Sequence, residues 1–103
     1  QGGRHGAVHL LRIAARMMTT RQVTVRYFAS VRELLGTGGE TLQTGAPTLA
    51  ALRDELIARG APYAEALARG RAVRMALDQV MSAESAALSE GSEVAFFPPV
   101  TGG

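Results

Sequence analysis

The sequence predicts an α+β fold in which a mixed sheet packs on one main helix. Three observations carry this. Apolar and polar residues alternate after Arg21 and again after Ser92, the period of a half-buried strand. The clearest helical spacing of leucines lies between Pro47 and Gly60. The 103 residues include no cysteine, so one apolar core must stand without disulfide or zinc-thiolate staples.

Each element follows from local pattern. Gln22 to Phe28 is β-branched and alternating, a first strand with Val23, Val25 and Tyr27 on one face and Thr24, Arg26 and Phe28 on the other. Ala29 to Leu35 is a short helix stopped by Gly36, and Thr37-Gly38-Gly39 is a turn. Glu40 to Thr44 is a short second strand, paired with the first through an irregular link. Thr48 is placed to cap the main helix, and Gly60 stands where a left-handed residue ends one. Leu49, Leu52 and Leu56 form its apolar stripe, while Arg53, Glu55 and Arg59 are expected to face water. Pro62 opens a second short helix, Tyr63 to Ala68. Val73 to Leu77 is a third strand, turned at Asp78-Gln79 into Val80-Met81-Ser82. A loop with Leu88 and a turn at Ser89 to Ser92 lead to the last strand, Glu93 to Phe97. Met75 and Met81 read as core filler. The order ββαβββ around one helix is that of a β-grasp sheet.

Composition narrows the function. Residues 1–16 contain no acid and look foreign to the rest; they read as a remnant or a misassigned start, or as an arginine-rich targeting segment. Met17-Met18 resembles a start, giving a domain over 17–97 and a tail over 98–103. Three of the eleven basic residues, Arg4, Arg12 and Arg16, lie in the extension, leaving eight against nine acids. The overall positive balance is therefore no argument for nucleic acid, and Arg69-Gly70-Arg71 with Arg74 reads as a solvated turn. No run of apolar residues is long enough for a membrane helix. Both histidines, His5 and His9, fall in the extension, and every basic residue other than these is arginine. The domain thus lacks thiol, imidazole and lysine amine, the usual nucleophiles, bases and metal ligands. No metal is expected, and Asp54 beside Glu55 makes no carboxylate dyad, since adjacent helical residues diverge.

The tail is the chemical signal. Phe96-Phe97-Pro98-Pro99-Val100-Thr101-Gly102-Gly103 closes the sequence. Prolines remove backbone donors and end the sheet. Glycines carry no Cβ and fit a channel too narrow for side chains. Extended, Pro98 to Gly103 reach on the order of 20 Å, enough to carry a terminal carboxylate into another protein's active site.

Tyr27-Phe28-Ala29-Ser30-Val31-Arg32-Glu33-Leu34 and Val94 to Gly103 closely resemble the molybdopterin synthase small-subunit family of sulfur carriers, over essentially all of residues 18–103. That family resembles ubiquitin in fold and tail. The resemblance implies that an ATP-dependent, ubiquitin-activating-like adenylyltransferase adenylates Gly103, and that a sulfur donor converts it to a thiocarboxylate. The tail would then enter the large synthase subunit and give sulfur to a pterin precursor. Gly102 would form the slim neck, and Thr101, Val100, Pro99 and Pro98 would guide insertion. The chain itself would bind no cofactor, using ATP and the sulfur donor through the activating enzyme. A cytoplasmic heterotetramer with the large subunit is implied, with neither nucleic acid nor membrane as partner.

Strand parity adds a docking face. If Val94 and Phe96 join Val23, Val25 and Tyr27 over the helix, then Phe28, Ala95 and Phe97 lie together on the outer face, an apolar patch beside the tail. A covering loop or a thicker core would hide them instead. Two other functions fit the sequence: a sulfur carrier for thiamine, cysteine or tRNA thiolation, and a ubiquitin-like binding module with an inert tail. A free-standing enzyme does not fit.

Overall fold

Strand β1, Arg21–Tyr27, begins the fold in the computed structural model, which describes residues 20–99. The extension 1–16 and the tail residues Val100, Thr101, Gly102 and Gly103 lie outside the described residues. Helix α1 (Ala29–Leu35) follows β1 and ends at Gly36, whose φ of 75° is the left-handed geometry expected of a stop. Then come β2 (Gly39–Thr44), α2 (Leu49–Ile57), α3 (Tyr63–Ala66), β3 (Arg74–Leu77), β4 (Val80–Met81) and β5 (Glu93–Phe97).

The five strands form one sheet in the order β2-β1-β5-β3-β4. β1 pairs antiparallel with β2 and parallel with β5; β5 pairs antiparallel with β3, and β3 with β4. This is the mixed β-grasp sheet, with first and last strands adjacent and α1 inserted in the β1–β2 link. The β3–β4 turn places both Asp78 and Gln79 at positive φ, 50° and 68°, the hairpin geometry whose twist matches the strands.

Period two decides the core. Val23, Val25 and Tyr27 of β1, Val94 and Phe96 of β5 and Met75 of β3 are buried. They pack in one cluster with Leu49, Leu52 and Leu56 of α2 and with Val31, Leu67 and Leu88. The Thr48 hydroxyl caps α2, accepting from the Ala51 amide at 3.2 Å. Gly60, at φ 87°, turns the chain after α2.

Two expectations are corrected. Arg53 does not face water: it is 4% exposed. Its guanidinium donates to the carbonyls of Leu67 (2.8 Å), Ala68 (2.8 Å) and Arg71 (3.3 Å), and to Glu84 Oε1 at 3.1 Å. The reason is helical geometry. Position 53 stands four residues after Leu49 and three before Leu56, on the buried stripe, and the carbonyls of the chain after α3 are there to receive its donors. Met81 is not core filler either. It is 59% exposed, because its register partner is Ala76, itself paired with Ala95 on the outer face.

Candidate docking face and tail root

The last strand carries the site. β5 is paired with β1 as far as Phe96, opposite Tyr27, and with β3 one residue further, where Phe97 stands opposite Arg74. After Phe97 the chain leaves the sheet at Pro98 and Pro99, both partly buried and in no regular element. The root of the tail is therefore fixed by a central strand. Proline chemistry explains why the ladder stops there.

Phe28, Ala95 and Phe97 come together on the outer face, where they line one depression of about 390 Å³ with Arg26, Gln79 and Glu93. Phe28 is 43% exposed, and Ala95 and Phe97 are half-buried. The backbone at Ala29 helps set this. It takes φ 50°, turning the chain from β1 into α1, while the Phe28 amide donates to the Phe96 carbonyl at 3.1 Å. Phe28 is thus held in extended geometry beside the end of β5.

The polar rim is internally matched. Arg26 Nε donates to Glu93 Oε2 at 3.0 Å across the β1–β5 pair. Asp78 Oδ1 accepts from the Glu93 amide at 2.9 Å, tying the β3–β4 turn to the start of β5. An apolar floor ringed by a satisfied ion pair and amide is what a partner surface needs if it is to lose its water cheaply.

Behind the sheet, a polar cluster holds β5 in place. Phe96 stacks on Tyr27, and Tyr27 meets Tyr63 edge-on. The hydroxyls of Tyr27 and Tyr63 both donate to Glu40 Oε2, at 2.8 Å and 2.9 Å, and Arg59 donates to both Glu40 oxygens. Burial alone would push the Glu40 carboxyl up. The hydrogen bonds from Arg59, Tyr27 and Tyr63 and the Arg59 charge outweigh it and hold the carboxyl below its ordinary value. Burial first, and then the bond to Glu40, pushes the Tyr27 phenol well above its ordinary value. A carboxyl depressed in the folded state contributes stability that is complete above its unfolded value of 4.5 and is lost as pH falls through the lower folded value. Acid unfolding of the wild type should therefore steepen below pH 4.5, and Glu40→Gln should remove that part of the slope. Parallel profiles in urea titrations at several pH values would contradict it.

Among the described residues no cluster of three or more His, Cys, Asp or Glu could hold a metal ion, and no helix is long and apolar enough to cross a membrane. Sequence reasoning missed the Glu40 cluster, because its four members come from β1, β2 and the two ends of the α2–α3 link. Only the pairing register brings them together.

Known proteins share this architecture. The sequence model of the ThiS family matches residues 25–103. The molybdopterin synthase sulfur carrier subunit of Escherichia coli is 42% identical over 81 residues, which cover 79% of this chain and 99% of that protein. Among solved structures, a chain of the complex of subunits 1 and 2 of molybdopterin-converting factor from Helicobacter pylori superposes with a TM-score of 0.52 at 25% identity, over 80% of this chain and 99% of that one. Small archaeal modifier protein 1 of Haloferax volcanii superposes with a TM-score of 0.63 at 20% identity, over 78% of this chain and 99% of that one, a likeness of fold.

Proposed function

The chain belongs to the ThiS family, and from that premise we propose that it is the sulfur carrier subunit of a molybdopterin synthase. The observation that carries the reading is likeness along nearly the whole length of a protein of that name. The geometry supports it: the outer-face depression around Phe28, Ala95 and Phe97 lies at the root of the strand that leads into the tail.

The chemistry starts from a poor electrophile. The Gly103 carboxylate attacks the α-phosphorus of ATP in the active site of an adenylyltransferase, and pyrophosphate leaves. A sulfur donor then displaces AMP from the acyl carbon and leaves a thiocarboxylate. The tail enters the large subunit, with Gly102 as its neck and Thr101, Val100, Pro99 and Pro98 as its guide; its sulfur bonds to the pterin precursor, and water cleaves the acyl–sulfur bond and restores the Gly103 carboxylate. The domain has no cysteine, histidine or lysine of its own, so its partners supply ATP binding, bases and the sulfur donor. The docking face fits the large subunit, and a dimeric large subunit would give a cytoplasmic heterotetramer.

Incubation with ATP, a competent adenylyltransferase and a sulfur source should raise the intact mass by the difference between sulfur and oxygen. The variant lacking Gly103 should show no gain. An unchanged wild-type mass would overturn the carrier reading in favour of a binding module with an inert tail. Capture of a molybdopterin synthase large subunit, against other sulfur acceptors, identifies the pathway.

A further inference from the structure

Among the described residues, one cation on the docking face joins no ion pair. Arg74 stands opposite Phe97 in the β3–β5 register, so its side chain leaves the sheet on the face that carries Phe28, Ala95 and Phe97. It is exposed. Every ion pair found among the described residues joins other groups: Arg26 with Glu93, Arg53 with Glu84, Arg59 with Glu40, and Arg69 with Asp54 and Glu84. The basic sequence cluster therefore divides. Arg69 is tied to α2, while Arg74 belongs to the outer face.

Toward the sheet edge Arg74 lines a depression of about 520 Å³ with Met81, Ser82 and Glu84, the last already paired with Arg53 and Arg69. Phe97 is its neighbour on β5. Along the same face Ala95 pairs with Ala76, and Ala76 with Met81, which is 59% exposed. The apolar surface thus continues past the phenylalanines and across β3 to the edge strand, with Arg74 set beside it at the tail-root end. A partner that covers this surface must strip water from the guanidinium. An unpaired buried cation is costly, whereas a carboxylate meets a guanidinium with two parallel hydrogen bonds.

We infer that Arg74 is a specificity-determining residue of the docking face, paired in the complex with a carboxylate that the large subunit presents, flanked by apolar side chains, near the mouth of its tail channel. This rests on the proposed function, and it adds a polar lock beside the phenylalanine patch. A carboxylate in that place aligns the subunit so that the tail root faces the channel. A competing surface of like charge is rejected.

The test is the association of the full chain with the large synthase subunit, followed by surface plasmon resonance across a series of salt concentrations. Arg74→Glu should weaken binding on the order of 100-fold, and Arg74→Met roughly 10-fold. Both should flatten the salt dependence of the association rate, a readout that a structural role would leave alone. Arg71→Glu makes the same charge change at an exposed position outside the sheet and should bind like the wild type. Thermal unfolding of each variant accompanies the series, and Arg74→Met decides the matter if Arg74→Glu does not fold. Wild-type affinity and salt slope in the Arg74 variants would overturn the inference while leaving the carrier reading intact. Absence of binding by the wild type itself would overturn both.

Discussion

Phe97→Arg is expected to abolish association with the large subunit while the domain still unfolds cooperatively. The ring lines the outer-face depression with Phe28 and Ala95 and is only half-buried, so the folded chain accommodates a long polar side chain there. A partner does not. Truncating a central aromatic anchor typically costs about 2–4 kcal/mol, and the substitution also introduces a cation where Arg26 and Arg74 already stand nearby. The sum is at least about 3 kcal/mol, or more than a hundredfold in affinity. Calorimetric titration with the large subunit measures it, with near-ultraviolet dichroism to follow the fold. Loss of the cooperative transition would instead make Phe97 a core residue and leave the outer face without this docking patch.

The second large effect is in the core. Arg53→Ala should lower the unfolding free energy by about 2–4 kcal/mol, roughly 1–3 kcal/mol for each carbonyl left without its donor. Total stabilities of small domains are about 5–15 kcal/mol, so the variant would sit near the limit of folding. The cause is specific. The Leu67 and Arg71 carbonyls lose their guanidinium donor, and a buried acceptor left bare costs its full desolvation, whereas the Ala68 carbonyl keeps the Arg71 amide and Glu84 keeps Arg69. Arg53→Met would restore the apolar stem against Leu49 and Leu56 but none of the four bonds, so it should recover only part of the loss. Urea unfolding of the three proteins decides this. A change below about 1 kcal/mol in Arg53→Ala would show that water replaces the guanidinium.

Much of the fold was legible because its signals are local. The alternation from Gln22 to Phe28 and from Glu93 to Phe97 identified the buried and outer faces of both strands, residue by residue. The leucine stripe, the Thr48 cap and the glycine stops likewise matched chemistry to geometry. Position 53 shows where local reading fails. Spacing put it on the buried stripe, but arginine is rarely buried, and the carbonyls that receive it lie up to eighteen residues away. Met81 fails for the mirror reason: an apolar residue on a two-residue edge strand has an outer face to occupy. Gly39 was read as a turn, yet it begins β2, where a Cβ would stand 2.6 Å from the Val25 carbonyl oxygen. Nothing in the flanking sequence reports that close approach. Of the site, Phe28, Ala95 and Phe97 followed from parity, whereas the unmatched charge of Arg74 emerged only once the strand register was known.

The central place of β5 has a mechanical consequence. Under the proposed function the tail enters another protein and is withdrawn after each round, and the pull would reach the domain along β5. That strand is bonded to β1 on one side and to β3 on the other, with Thr24 to Tyr27 and Arg74 to Leu77 as its partners. The ladder bonds run across the direction of the pull, so they are loaded together in shear rather than opened one after another like a zip. Traction on the terminus is thereby shared across the middle of the sheet, and the domain can act as the handle by which a spent tail is drawn out without unravelling itself.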